Sequence, residues 1–343
     1  MRTIFLSTVF ALLSFVSHAQ LGGQSIFQSL NIPSSARVAA LGGNNIAVKD
    51  SDLNLAIYNP ALLDSATSNQ VALSYVNYFS DVNFGFASYA KNLDTSWTVA
   101  ATIQYASFGE FAETNYIGEQ TGTFTAGDYA LILGAGYKID TNFTVGANAK
   151  VIYSTLVDYS AVGGAVDLAG VYHSKKRRFT AALLMKNIGY QFDNYTDDNL
   201  EELPFEIQLG ISKKLKHAPF RFSVIAENLQ QWDLTYDNPN DQPEVDPVSG
   251  EVVDDNSFEF GDMLMRHIVL GAELLISDNI NIRLGYNYRR RQELKINDRP
   301  GTAGLSWGVG FKISRFEISY GRASYHLAGP SNHFTLTTNL SSW

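Results

Sequence analysis

Cysteine is absent from the 343-residue sequence, and its absence removes several kinds of chemistry. Without thiols the chain forms no disulfide framework, no thiol nucleophile, no Cys-ligated metal site and no acylated N-terminal cysteine. The six His residues fit no catalytic motif of the kind that combines a Ser, a His and an acid. We therefore expect a protein that is not an enzyme and that needs neither a cofactor nor a metal.

Basic residues are also scarce. The sequence has 25 Lys and Arg against 34 Asp and Glu, which gives a formal net charge of −9. Binding to nucleic acid requires a basic face that neutralises phosphates, and no such face is visible in the sequence. We therefore expect no nucleic-acid partner.

Long apolar runs are missing after residue 20, although a membrane helix needs about 18 or more consecutive apolar residues. What the sequence contains instead is 13% aromatic residues and 27 Gly, with only 17% charged residues. This composition favours many short strands over long solvated helices.

The first residues form an export signal. Arg2 precedes an apolar stretch from Ile4 to Val16, and Ser17, His18 and Ala19 lead to Gln20. This order predicts a signal peptide over residues 1–19 that is cleaved after Ala19. The alternative, an N-terminal membrane anchor, is disfavoured because the apolar run is too short and lacks a basic flank.

From Asn69 onward, segments of roughly ten residues alternate apolar with small or polar residues, as strands that face lipid on one side require. The clearest segment, near the C-terminus, alternates two sets of side chains. One face is Leu305, Trp307, Val309, Phe311 and Ile313, and the other is Gly304, Ser306, Gly308, Gly310 and Lys312. Alternation alone does not separate a lipid face from a packed core.

The connections between segments make that distinction. We predict fourteen strands, and every second connection is tight: 93–94, 139–141, 174–177, 216–218, 276–279 and the single residue Ser314. The others are mostly long, with only 80–81 short, and the long ones are 109–123, 188–203, 229–264, 290–301 and 326–332. Outer-membrane barrels have short periplasmic turns and long external loops. The sequence therefore predicts an all-β, transmembrane antiparallel barrel over residues 69–343 with both termini periplasmic, although merging one hairpin would give twelve strands.

Residues 20–68 differ in sequence pattern from the strands that follow. Pro33, Ser34 and Ser35 precede Ala36 to Leu41, and Gly42 with Gly43 ends the run, which predicts a short capped helix. We expect this segment to form a plug, or hatch, inside the barrel, because a barrel of this width would otherwise enclose a water-filled hole.

Two short motifs connect the chain to a known group. The run Ala36-Arg-Val-Ala-Ala-Leu-Gly-Gly-Asn and the later Asn59-Pro60-Ala61-Leu62, with Asp52 between them, resemble the N-terminal signature of FadL-like barrels. The resemblance implies fourteen strands and a hatch that carries a set of signature residues: Arg37, Gly42, Gly43, Asn59 and Pro60. Within this group the sequence most resembles the PorQ family, and the matching segments are 31–44, 75–79, 205–222 and 232–236.

Similarity to the PorQ family implies a role in the type IX secretion system of Bacteroidetes. That system carries proteins with a C-terminal signal domain across the outer membrane and attaches them to the cell surface. The resemblance implies a barrel that anchors the surface attachment complex by binding a PorZ-like surface protein, alongside a PorU-like sortase and a PorV-like barrel. It implies no protease activity.

A second function remains open, because other FadL-like barrels pass hydrophobic small molecules across the outer membrane through a lateral opening. This alternative predicts an apolar pocket beside the hatch and a break in one strand. Proline enters the predicted strands only at their starts, Pro204 and Pro219, so the sequence signals no break and favours docking.

The connection 229–264 is the candidate partner site, since it holds ten Asp or Glu residues and no Lys or Arg. A surface partner would bury its aromatic residues while the acidic residues orient the approach. The candidate residues are Trp232, Tyr236, Asp237, Asp241, Glu244, Asp246, Asp254 and Asp255. The alternative is a solvated acidic loop.

The same rim also has residues that could bind ions or lipids. Asp237, Asn238, Asn240 and Asp241 offer oxygen ligands for Ca²⁺, but their spacing matches no EF-hand loop, so we expect no metal site. The acidic connection 188–203 would, with 229–264, bridge to lipopolysaccharide phosphates through divalent ions. Residues 289–291, all Arg, would contact an anionic lipid head group or pair with those two acidic connections, and we favour the structural role.

Overall fold

Fourteen strands form one closed antiparallel barrel, in which each strand pairs with its neighbours in sequence and β1 pairs with β14. The computed structural model describes residues 25–195, 201–235, 260–294, 301–326 and 329–342. The strands are β1 (Gln70–Asn77), β2 (Asn83–Asn92), β3 (Trp97–Thr114), β4 (Gln120–Lys138), β5 (Phe143–Leu156), β6 (Tyr159–Ser174), β7 (Phe179–Asp193), β8 (Glu206–Lys214), β9 (Phe220–Ala226), β10 (Ile268–Leu275), β11 (Ile280–Asn287), β12 (Leu305–Ile313), β13 (Phe316–His326) and β14 (Gly329–Asn339). The predicted fold class is therefore confirmed.

The outer face of the wall is apolar, and the inner face is small or polar. In β12, Leu305 and Trp307 point outward and are 53% and 45% exposed, whereas Ser306 between them is 5% exposed. The same alternation runs through the other strands, with exposed large hydrophobic residues on the outside. A continuous apolar exterior of this extent is stable only against hydrocarbon, so the barrel spans a membrane.

Among the described residues, four α-helices accompany the strands: α1 (Ala36–Ala40), α2 (Leu53–Ala56), α3 (Phe260–Arg266) and α4 (Tyr288–Leu294). In the part of the chain that the structure describes, no helix has the length and the hydropathy to cross a membrane. Helices α1 and α2 lie in the N-terminal segment, and α3 and α4 lie at the long-connection end of the barrel.

The expected lengths of several connections need correction. The predicted loop 109–123 is wrong, because β3 continues to Thr114 and β4 begins at Gln120, and Phe111 stacks on Phe124 with ring centroids 5.3 Å apart. The predicted loop 188–203 is shorter than expected because β7 runs to Asp193, whereas 290–301 lies in a longer connection, since β11 ends at Asn287 and β12 begins at Leu305. Helix α4 occupies Tyr288–Leu294 of that connection. Connection 80–81 was expected to be the one short member of the mostly long set, but the connection between β5 and β6 in the same set is also short, with two residues.

The described part of the N-terminal segment, residues 25–68, fills the barrel interior. Helix α1 starts at Ser35, whose hydroxyl accepts a hydrogen bond from the Val38 amide at 3.3 Å. It is followed by Gly42 and Gly43, whose φ angles of +93° and +90° are strained for any residue with a side chain. The chain can therefore turn sharply at the point where the sequence predicted the end of the helix.

Inward-facing glycines of the wall allow the hatch to pack closely against the strands. Gly285, Gly308 and Gly321 lie against α1, and a methyl group at Gly285 would overlap the backbone of Leu41 and Gly42. Across the barrel, Gly146 lies in the same way against the backbone at Pro60. The glycine-rich inner faces of the strands are therefore contact surfaces for the hatch.

Candidate functional site

Arg37 fixes the hatch to the wall through buried ion pairs. Its guanidinium lies 2.7 Å from Asp50 and 2.8 Å from Asp52, both in the hatch, and 3.0 Å from Glu273 in β10. Arg37 is 6% exposed and the Glu273 side chain 2%, so this pair forms away from bulk water, whereas the Asp50 side chain is 29% exposed. A guanidinium suits this position because its fork of donors serves several carboxylates at once.

Two further wall residues complete this cluster. Arg221 in β9 lies 2.9 Å from Glu273, and Arg283 in β11 lies 3.4 Å from it. Burial by itself would raise the pKa of the Asp50 carboxyl, but Arg37 and Arg221 outweigh burial and hold this pKa well below its usual value. Asp50 is therefore ionised at neutral pH and holds the hatch electrostatically.

The sequence identified Arg37 but missed its partners in the wall. Glu273 and Arg283 are charged residues at inward-facing positions of otherwise apolar strands, and this was the available signal. The pairing itself was not predictable, because Glu273 stands 236 positions from Arg37.

The other hatch residues of the signature act on the backbone. The Asn59 side chain donates to the Ile46 carbonyl at 2.7 Å and accepts from the Ala61 amide at 3.0 Å, which ties two passes of the hatch together. Pro60 begins the short 3-10 helix Pro60–Leu62, where the missing N–H of proline costs nothing. The carbonyl of Gly42 accepts a hydrogen bond from Arg290 at 3.0 Å.

Little free space remains beside the hatch. One cavity, of about 20 Å³, is enough for about one water molecule and is lined by Leu30, Ile32, Tyr58, Phe86, Lys150, Lys186 and neighbours. A second cavity, of about 150 Å³, is polar and lies around Arg37, Asp50 and Glu273. The described interior is therefore plugged, and neither of these cavities is the apolar pocket that transport of a small molecule predicted.

Strand β7 contains a β-bulge, an extra residue that shifts the register of its pairing with β6. Lys186 and Asn187 together stand opposite the single residue Asp167 of β6, since Val166 pairs with Ile188 and Leu168 pairs with Met185. Asn187 has a φ of +58°, the left-handed conformation that asparagine tolerates better than most residues. The strand itself stays continuous from Phe179 to Asp193, so the irregularity here is a bulge and not the strand break that transport predicted.

A buried polar cluster holds the bulge in place. Asp167 lies 2.7 Å from the Lys150 ammonium and accepts the Asn187 backbone amide at 2.8 Å. The Asn187 side chain accepts from Lys150 at 2.8 Å and donates to the Pro204 carbonyl at 2.9 Å. These contacts satisfy polar groups that the bulge removes from the regular ladder.

Beyond the bulge, β7 loses its partner on one side. Among the described residues, the β7–β8 ladder ends at the pair Lys186 and Glu206, whereas β7 stays paired with β6 as far as Asp193. The chain before β8 turns inward, where Glu202 bridges to Ser25 and its carbonyl accepts from Ile26 at 3.0 Å. The wall therefore has a gap in its ladder between the ends of β7 and β8.

Apolar residues lie on both sides of this gap. Ile26, Phe27 and Leu30 of the N-terminal segment pack with Leu203 in one buried cluster behind the wall. On the outside, the unpaired end of β7 exposes three large hydrophobic side chains: Ile188, Tyr190 and Phe192. An apolar surface thus continues from the interior to the lipid-facing side.

The outer rim contains one of the predicted partner-binding residues. Trp232 is 51% exposed, and its ring centroid lies 5.5 Å from that of Phe260, which is 70% exposed. Buried His267 supports Trp232 by a hydrogen bond to its carbonyl at 3.1 Å. The other predicted residues lie outside the described part of the chain: Tyr236, Asp237, Asp241, Glu244, Asp246, Asp254 and Asp255.

The three consecutive arginines of the rim make contacts within the protein. Arg289 lies 3.4 Å from Glu227 and 3.7 Å from Glu293. The Arg290 guanidinium lies over the Tyr325 ring at 4.0 Å, and Arg291 donates to the Gly301 carbonyl at 2.6 Å. The contacts agree with a structural role, but Glu227 and Glu293 lie outside the acidic connections 188–203 and 229–264 that were the expected partners.

Comparison with solved structures finds barrels of the same architecture. The toluene transporter TodX of Pseudomonas putida superposes with a TM-score of 0.53 at 12% identity over 89% of this chain and 96% of that chain. A TodX deltaS2 mutant described as a monoaromatic hydrocarbon channel gives 0.54 at 12% identity over 90% and 97%. A FadL homologue of Pseudomonas aeruginosa gives 0.50 at 10% identity over 93% and 100%.

Comparisons of sequence give no corresponding match: neither the protein-family models nor the curated proteins include one. At 10–13% identity the structural likeness concerns the fold. The chain is a fourteen-stranded barrel with the fold of FadL-like outer-membrane channels, and this fold places it in an outer membrane.

Proposed function

We propose that this protein is a non-enzymatic outer-membrane channel that passes an apolar small molecule sideways through its wall, between the ends of β7 and β8. One observation carries the proposal: the β7–β8 ladder stops at Lys186 and Glu206, although β7 continues to Asp193. A regular barrel pairs its strands over their full length, because an unpaired backbone in hydrocarbon is costly.

The chemistry of the gap fits an apolar passenger. A molecule that leaves through the wall meets Leu203 and Phe27 on the inside and Tyr190 or Phe192 on the outside, so it does not need to cross a charged surface. A buried cluster stabilises the bulge, and it consists of Lys150, Asp167 and Asn187. Its two charged side chains pair with each other, so the cluster presents no unpaired charge to the route. The similarity to TodX, a toluene transporter, supports a monoaromatic hydrocarbon as the first passenger to test.

Orientation follows from the connections. We assign the tight turns to the periplasmic side and both termini with them, as is usual for outer-membrane barrels. The gap then lies in the outer half of the wall, because β7 runs from the turn before Phe179 towards Asp193.

Straightening β7 tests the route. Deletion of Asn187 leaves Lys186 opposite Asp167 and restores a regular ladder. We expect cells that lack their own channels of this fold to take up labelled toluene when they produce the natural protein, and to lose most of that uptake with the deletion. The matched control deletes Gly109 of β3, which forms a bulge with Phe108 opposite Ala126 of β4, away from the gap between β7 and β8. Equal uptake by the two deletion variants would refute the lateral route.

Docking of secreted-protein machinery is the second candidate, and exposed aromatics favour it. Trp232 and Phe260 form a paired hydrophobic surface within the acidic connection 229–264. Large aromatic side chains of this kind are frequent anchors in protein interfaces. Together with the resemblance to the PorQ family, they support a barrel that binds a PorZ-like protein, with a PorU-like sortase and a PorV-like barrel.

Purification in mild detergent distinguishes this candidate from transport. We expect a tagged protein from its native membrane to retain these partners, and the Trp232→Ala/Phe260→Ala variant to lose them. Tyr116→Ala is the matched control, because Tyr116 is 98% exposed on another outer hairpin. If mass spectrometry finds no partner with the natural protein, docking is refuted while transport is unaffected.

A further inference from the structure

The lipid-facing wall carries a groove across β9 to β13 that the transport route does not use. Its volume is about 740 Å³, and its lining consists of wall residues and Thr302, with none from the hatch. Volumes of roughly 300–1,000 Å³ are typical of sites that hold small molecules. The groove opens towards the membrane and not towards the lumen, because its large side chains are the outward-facing Phe222, Leu284, Leu305 and Trp307.

Differences in side-chain size create the depression. Ala272 of β10 pairs with Phe222 of β9 on one side and with Leu284 of β11 on the other, so a methyl group stands between two large side chains. Further along, Trp307 of β12 pairs with Leu284 and forms the next wall of the groove. The depression is therefore apolar in its middle.

One end of the groove is cationic. Arg322 of β13 lines the groove together with Thr302 and Ser324, close to the long connections. Its side chain is exposed on the outer face, and it donates one hydrogen bond to Asn332 at 3.2 Å. Within the described ranges, the ion pairs formed by arginines use other residues, among them Arg283 and Arg289, and none brings a carboxylate to Arg322.

A guanidinium on the lipid-facing side needs an anionic partner, because it carries five donors and a charge that hydrocarbon does not solvate. With the tight turns on the periplasmic side, Arg322 lies in the outer half of the wall. The lipid of that leaflet combines phosphate groups with acyl chains. We propose that the groove binds the lipid A part of lipopolysaccharide, with a phosphate on Arg322 and an acyl chain along Ala272.

This inference takes its orientation from the proposed function but does not depend on transport. Its test uses the purified full barrel in mild detergent and diphosphoryl lipid A as the probe, with native mass spectrometry to count bound lipid. We expect one lipid A per barrel. Retention should fall about tenfold in Arg322→Gln, which removes the charge-assisted contact, and also in Ala272→Trp, which fills the groove.

Controls separate this site from general adhesion of lipid. Lys213→Gln removes an exposed cation near a tight turn at the opposite end of the wall and should leave retention unchanged. Heat-modified migration on gels shows that each variant is folded. The proposal is overturned if Arg322→Gln and Ala272→Trp retain lipid A as the natural protein does, or if phosphate-free lipid A or phosphatidylglycerol binds equally well. None of these results depends on uptake of toluene, so failure here and failure of the channel are distinguishable.

Discussion

At the scale of single residues, the hatch is held by ion pairs between its own charged side chains and charged side chains of the wall. Arg37, Asp50 and Asp52 belong to the hatch, but Glu273, Arg221 and Arg283 come from the wall. Buried ion pairs of this type add little net stability over apolar packing, yet removal of one partner is expensive because a charge stays buried. The cluster therefore specifies where the hatch sits.

Loss of Arg37 should destabilise the barrel and loosen the hatch. Arg37→Met leaves Asp50, Asp52 and Glu273 with fewer cations, and we expect the free energy of unfolding in urea to fall by about 3 kcal/mol. Limited proteolysis should also cut the hatch sooner. Arg177→Gln, in an exposed tight turn, is the control and should change the stability by less than about 0.5 kcal/mol. A hatch that resists protease equally in both variants would contradict this role.

Acid should weaken the same cluster. The pKa of Asp50 is lowered in the folded protein, so its stabilising contribution is complete above the pKa of the unfolded chain, about 4, and declines as the pH falls below that value. We expect Asp50→Asn to be less stable than the natural protein at pH 7, and the difference to shrink towards about pH 3.

Urea unfolding of both proteins across this pH range measures the difference. Asp278→Asn, which changes an exposed residue of a tight turn, serves as the control. A stability difference for Asp50→Asn that stays constant from neutral to acid pH would show that Asp50 does not act through its charge.

At the scale of elements, features that depend on residues close together in the sequence were predicted correctly, whereas the bulge in β7, which depends on contacts between strands, was not. Helix α1 begins after Ser35 and ends before Gly42, as capping residues predict, because these signals act within one turn of the helix. The tight turns were found for the same reason. The bulge at Asn187 was missed because it depends on Lys150 and Asp167, which reach it only through the pairing of β5, β6 and β7.

Hydrogen exchange should reveal the gap in the wall. The outer part of β7 has described pairing on one side only, so we expect amides in residues 188–193 to exchange much faster than those in 180–186, which lie between two paired strands. The comparison requires only the natural protein in detergent. Equal protection of the two segments would mean that the ladder is closed and that no lateral route exists at this place.

At the scale of the whole molecule, the alternating strands and the alternating loop lengths were sufficient to predict a fourteen-stranded barrel with a plug. The function was less accessible, because the resemblance points to docking, whereas the interrupted β7–β8 ladder is the basis of the channel that we propose. Most of the acidic candidate residues, such as Asp237 and Asp254, lie outside the described residues. In the channel that we propose, the hatch blocks water and the gap between the ends of β7 and β8 is the exit.

The most direct test measures toluene uptake and ion conductance for the same protein. Uptake is followed in cells with intact lipopolysaccharide that lack their own channels of this fold, and conductance is recorded with the purified barrel in a planar bilayer. A plugged barrel with a lateral exit predicts clear uptake of toluene with almost no steady conductance. Absence of uptake, or uptake accompanied by the conductance of an open water-filled pore, would contradict it.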